Sequence, residues 1–235
     1  ISYTAARLLG DDPRADDYLK KAVKINPQMS LAWRLLWFNA DQRGDSVLSR
    51  EYSEKTISLD KDNPEVAYSY AELIRGTDRN KSDSLLLELI RRFPKNVFSA
   101  RSLYFLGIRS ETVEEKEVYF DLLYSSFIEN QNDWFVVGMN DYFDLLLITN
   151  LNKAYDLALK MQMKVELTRH VWHKKRTLAR DLLRVRNLVV EKKPEEALKV
   201  LNNITLSSRA DISYVPAEDL LLLFRCQIDE LAGMN

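Results

Sequence analysis

Two stretches of the chain align when one is shifted by 34 residues: KAVKINPQMSLAWRLL (21–36) falls on KTISLDKDNPEVAYSY (55–70). The shift sets Ala22 on Thr56, Ile25 on Leu59, Asn26 on Asp60, Trp33 on Ala67 and Leu36 on Tyr70. A third join, ELIRRFPKNVFSARSLYFLG (88–107), follows 33 residues later, with Ala100 and Leu103 at the Trp33 and Leu36 positions. The turn inside the repeat also recurs, since Gly10-Asp11 precedes Gly44-Asp45 by 34 residues. A period of this length constrains the fold more than composition does. Each repeat is one supersecondary element that buries its apolar face against its neighbours. Helix ends are expected near Gly10, Pro27, Gly44, Asn63 and Pro94. Pro27 stops one helix because proline cannot continue it, and Ser30 is expected to cap the next.

Composition agrees with helices joined by tight turns. Six glycines and six prolines in 235 residues are too few for the many turns of an all-β fold. Basic and acidic residues balance at 34 against 35, so no overall field points to nucleic acid. Cys226 is the sole cysteine, which excludes a disulfide or Cx2C zinc site within the chain. Its apolar setting, LLLLFRCQI, predicts a buried, inert thiol. No apolar stretch approaches the ~18 residues that span a bilayer, so no transmembrane segment is expected. No signal peptide is present, and the chain starts at Ile1 rather than Met. Compartment stays open between cytoplasmic and bacterial periplasmic or exported.

At the repeated positions the chain resembles the tetratricopeptide (TPR) family. That family places Trp and Leu in a first helix, a Gly-Asp-like turn, small and aromatic residues in a second helix, and a closing Pro. Here Trp33 and Leu36 precede Gly44-Asp45, while Ala15, Leu19 and Ala22 precede Pro27. Small residues let paired helices approach, and Leu19, Trp33 and Leu36 are expected to fill the space between them. Ser49, Ser53 and Thr56 stand where the family prefers small or large apolar residues, which predicts a poorer fit for that helix. The resemblance implies an all-α fold, a TPR-like α-solenoid of about six antiparallel hairpins in a right-handed superhelix. It implies one domain over 1–235, with regular repeats over 1–107 and degenerate hairpins over 108–235.

Beyond residue 107 the helical period persists without the signature. Val118, Leu122, Leu123 and Phe127 mark one helix, and 133–148 with 152–161 mark a hairpin. A long helix is expected over 165–191. Residues 193–204 follow, with Pro194 at the start and Ala197, Leu198 and Leu201 inward. A final helix, 215–233, ends at Gly233. The aromatic-rich 119–143 segment reads as core.

Residues that could carry chemistry are few. Glu166, His170 and His173 share one helical face, but Lys174, Lys175 and Arg176 crowd that face with positive charge, so no metal is expected. Arg169, His173, Arg176, Arg180 and Arg184 form a basic stripe opposite an apolar one of Leu167, Val171, Leu178, Leu182, Val185 and Val189. Residues 111–144 hold nine acids and one base, Lys116. Pairing of the stripe with that segment, internally or in a second copy, is weighed against an external anionic ligand. There is no Gly-rich phosphate loop, no GxSxG and no Cys/His pair at a plausible element boundary. No catalytic residue and no cofactor are expected.

The resemblance also implies a concave surface lined by first helices, which in that family grips a peptide. By position it comprises Arg34, Phe38 and Asp41, then Tyr68, Ser69 and Glu72, then Arg101, Ser102 and Phe105. Arg34 could replace the first lysine of the family's carboxylate clamp, but Phe38, Ser69, Phe98 and Ser102 occupy the other positions, so chaperone-tail capture is not expected. The expected function is a non-catalytic scaffold for a protein or peptide partner, with homo-oligomerisation as a further possibility. The rival reading is a helical module of a larger exported bacterial enzyme, such as a thioredoxin-family protein, whose catalytic domain lies outside the chain. Both ends look prepared for neighbours: Ile1 falls inside a first helix, and EDLLLLF (218–224) is apolar around most of its circumference.

Overall fold

The computed structural model describes residues 14–161, 166–204 and 217–233. Twelve helices make up 82% of the described residues, and no strand occurs among them. They fall into two compact units, Ile1–Leu106 and Gly107–Asn235.

The first unit holds α1 (Arg14–Ile25), α2 (Ser30–Gln42), α3 (Ser46–Leu59), α4 (Pro64–Ile74), α5 (Arg79–Arg92) and α6 (Val97–Arg109), whose last turn passes into the second unit. The breaks follow from local chemistry. After α2, Gly44 takes φ +71. Its N–H reaches the Asp41 carbonyl at 2.9 Å, and the Asp45 N–H reaches that of Ala40 at 2.9 Å. This left-handed Schellman turn closes one helix. The Asp45 carboxylate then accepts from the Leu48 N–H at 3.0 Å and opens the next. One Gly-Asp pair thus ends α2 and starts α3. Asn63 and Asp78 open α4 and α5 in the same way, Asn63 with Pro64 at the first helical position. The expected turn at Gly10-Asp11 lies outside the described residues.

α2 differs from expectation at its start. Ser30 is the first helical residue; Met29 holds the capping position, and no side chain caps the helix. Asn26 instead accepts from the Gln28 N–H at 3.1 Å, an Asx turn that carries the chain past Pro27. Ala15, Leu19, Ala22, Ala32, Leu36 and Ala40 are buried where α1, α2 and α3 meet, small residues at the close approach and leucines in the gaps. Trp33 is half-buried rather than enclosed. Its Nε1–H donates to the Pro27 carbonyl at 2.9 Å, and its ring lies 5.8 Å from that of Tyr52. Ser49, Ser53 and Thr56 are enclosed on the inward face of α3. Ser53 and Thr56 turn their hydroxyls back onto the Arg50 and Tyr52 carbonyls, whereas the buried Ser49 hydroxyl has no hydrogen-bond partner among the described residues.

The second unit holds α7 (Val113–Phe127), α8 (Asp133–Thr149), α9 (Leu151–Lys160), α10 (Glu166–Val190), α11 (Pro194–Asn203) and α12 (Ala217–Leu231). Thr112, Asn132 and Asn150 cap α7, α8 and α9 through side-chain oxygens. Sequential neighbours pack, α7 on α8, α8 on α9, α9 on α10 and α10 on α11, while α12 lies against both α10 and α11. On α7 the inward face is Phe120, Leu123 and Phe127, whereas Val118 (63% exposed) and Leu122 face solvent. Positions spaced three and seven apart share a face, and the ring of Phe120 meets Gly107 and stacks on Tyr142. Phe135, Tyr142 and Phe143 are buried as expected of the aromatic segment. In α11, Ala197 and Leu201 point inward and Leu198 is half-buried. α12 stops at Gly233, φ +67. Cys226 is exposed, contrary to expectation, because Leu221, Phe224 and Ile228 take the inward face of α12.

Candidate functional site: a groove in the first unit

A groove of about 680 Å³ opens within the first unit between α2 and α4, with Arg101 of α6 at its edge. Seven of the nine positions taken from the repeat register line it: Arg34, Phe38, Asp41, Tyr68, Ser69, Glu72 and Arg101. Leu35, Trp37, Glu65, Val66 and Leu73 complete the lining. Ser102 is not part of it. It is fully buried and donates to the Phe98 carbonyl at 2.7 Å, so its hydroxyl is spent on its own helix. Phe105 is also outside the lining; it is half-buried, with the Arg101 guanidinium 5.7 Å from its ring.

The charges in the groove are unevenly engaged. Arg34 Nη1 lies 3.0 Å from Glu65 Oε2, tying α2 to α4 across the rim. The Arg101 guanidinium lies over the Tyr68 ring at 4.6 Å, and Tyr68 in turn contacts Phe98 at 5.7 Å between centroids. Tyr68 is buried, so that stack forms a fixed wall. Phe38, by contrast, is 56% exposed despite its size. Asp41 stands one turn further along α2, exposed, and its carboxylate carries no ion pair among the described residues. Glu65 was missed in the sequence although a signal existed. It lies 31 residues after Arg34, about one turn short of the 34-residue spacing in the sequence.

Within the basic stripe, Arg176 and Arg180 make contacts along their own helix. Arg169, Arg180 and Arg184 are exposed and Arg176 is half-buried. Arg176 pairs with His173 Nδ1 at 2.9 Å and Arg180 with Asp181 at 3.0 Å, partners on α10 itself rather than in the acidic 111–144 segment. Three acids of that segment pair with lysines. Lys153 reaches Glu117 at 2.7 Å and Asp121 at 3.0 Å, while Lys175 reaches Asp144 at 2.8 Å. The Tyr142 hydroxyl donates to Asp121 at 2.6 Å. Burial, then this hydrogen bond, holds the phenol well above the ordinary tyrosine range. For Lys153 burial acts downward, but its bonds to Glu117, Tyr142 and Asp121 outweigh it and raise the ammonium.

The inward face of α10 is Trp172, Lys175, Leu178, Ala179, Leu182 and Val185. Val171 and Val189 are half-buried, and the Leu167 side chain lies outside the described residues, as do those of Glu166 and His170. His173 is exposed, and no cluster of metal-ligating side chains occurs among the described residues. Among the described residues no helix is long and apolar enough to cross a membrane. Comparison of the chain with protein-family models and with curated proteins returns no match.

Proposed function

We propose that the chain is a non-catalytic, TPR-like scaffold whose helical hairpins form an α-solenoid, and that the α2–α4 groove binds a peptide segment of a partner protein. The observation that supports this most directly is the groove itself. Residues chosen by repeat position converge on one cavity whose lining mixes Trp, Tyr, Phe and Arg, the side chains that dominate protein-binding hot spots. A large ring held 56% exposed at its mouth is a ready anchor. Its volume lies within the range of ligand-sized clefts, and its length along α2 suits several residues of an extended chain. The recurrent 34-residue spacing and the short helices it brackets support the TPR-like arrangement.

Panning a randomised dodecapeptide library against the 235-residue chain tests the reading. Selected peptides should shift backbone amide resonances of α2 and α4 and lose binding on Phe38→Ala. Peptides that map elsewhere, or none that depend on Phe38, would overturn it.

A further inference from the structure

Resting on the groove reading above, we infer that the groove is built for a cationic segment: a lysine or arginine side chain lying across Phe38 with its charge at Asp41, followed by an apolar residue against Leu35 toward the Arg34–Glu65 end. The lining carries two guanidinium groups against three carboxylates. Neither guanidinium is presented to an incoming anion. Arg34 is held by Glu65 at 3.0 Å, and the Arg101 guanidinium lies over the Tyr68 ring at 4.6 Å. The groove therefore presents a net negative field, which a cleft with low-dielectric walls concentrates.

Phe38 and Asp41 place that field. They are three residues apart on α2 and so share one face, the ring one turn before the carboxylate. Both are exposed and both line the groove. Asp41 sits in the last turn of α2, where the carbonyl end of the helix dipole adds to its negative charge. A long cationic side chain satisfies both groups at once, its stem and charge over the ring face and its N–H donors on the carboxylate. An acidic segment would meet Asp41 directly and would have to compete with Glu65 for Arg34 or with Tyr68 for Arg101. Two turns separate Arg34 from Asp41, about 10 Å along the axis, so the neutral end leaves room for the apolar neighbour. Leu35, half-buried in the lining beside Arg34, furnishes the apolar contact for it.

The test repeats the dodecapeptide selection on the 235-residue chain and on Asp41→Lys, then measures one dominant peptide by fluorescence anisotropy. Peptides from the unsubstituted chain should carry Lys or Arg beside a large apolar residue. Their affinity should fall about tenfold or more on Asp41→Lys, several-fold on Asp41→Asn, and again between 50 and 300 mM salt. Asp41 is exposed, so neither substitution should move the urea midpoint appreciably. Peptides that depend on Phe38 but are neutral or acidic, or basic ones that bind Asp41→Lys equally well, would overturn this inference and leave the scaffold reading standing. Absence of any Phe38-dependent peptide would overturn both.

Discussion

Lys175 Nζ and Asp144 Oδ1 lie 2.8 Å apart with each side chain only 2% exposed, a buried ion pair joining α10 to α8. The ammonium also lies 4.5 Å from the Phe143 ring centroid and 5.8 Å from that of Trp172, which supply aromatic faces where water is excluded. Removing one partner strands the other charge without solvent. Lys175→Met should therefore destabilise the chain by about 3–5 kcal/mol, whereas the double change Lys175→Met with Asp144→Leu should recover most of that loss. Urea midpoints of the two variants decide it. Equal losses in the single and double variants would mean the pair is not the source.

Leu36 and Trp33 lie one turn apart on α2 but differ in burial. Leu36 is fully enclosed, so Leu36→Ala should cost about 2–5 kcal/mol. Trp33→Phe keeps most of the ring and loses the bond to the Pro27 carbonyl, worth about 1 kcal/mol. Chemical denaturation should show the leucine change as the larger; the reverse order would contradict the packing of α1 to α3.

Lys192 repeats the conformation of Gly44 without being glycine. It takes φ 58 after α10, and the Lys193 N–H reaches the Leu188 carbonyl at 2.9 Å, the same Schellman closure. A side chain there costs about 1–2 kcal/mol. Lys192→Gly should raise stability by up to about 1 kcal/mol, while Gly44→Ala should lower it by a similar amount. Thermal melts of the two variants should move in opposite directions.

Tyr142 and Lys153 both hold their protons more tightly in the folded chain than in the unfolded one. Their contribution is complete below the unfolded tyrosine value of about 10 and is lost as pH rises through the folded values. Tyr52 and Tyr124, raised by burial, add to the same trend. Urea midpoints should hold from pH 8 to 9.5 and then fall steeply. Tyr142→Phe should flatten that fall, and an unchanged slope would assign it elsewhere.

Reversing charge at Arg180 and Arg184 removes contacts confined to an exposed helix face. The Arg180–Asp181 pair is solvent-facing, so the double variant should stay within about 1 kcal/mol of the parent. A larger loss would reveal a packing role for the stripe.

Helix ends were legible in the sequence because they are settled within a few residues. Gly44 supplies a left-handed φ, and Asp45, Asn63, Asp78, Asn132 and Asn150 supply capping oxygens to N–H groups two or three positions on. Seven of the residues that the TPR resemblance implied for one surface line a single cavity. Face selection was a different matter wherever apolar residues surround a helix. On α7, Val118 and Leu122 read as well as Phe120, and the stacking of Phe120 on Tyr142 decided which turned inward. Ser102 and Phe105 fell outside the groove: Ser102 is enclosed, and of α6 Arg101 alone lines the cavity. Lys175 and Asp144, 31 residues apart, each look like a misplaced charge among apolar neighbours. A charge enters a core only when its counter-charge arrives with it, and that coincidence belongs to the packing of α8 against α10 rather than to either helix.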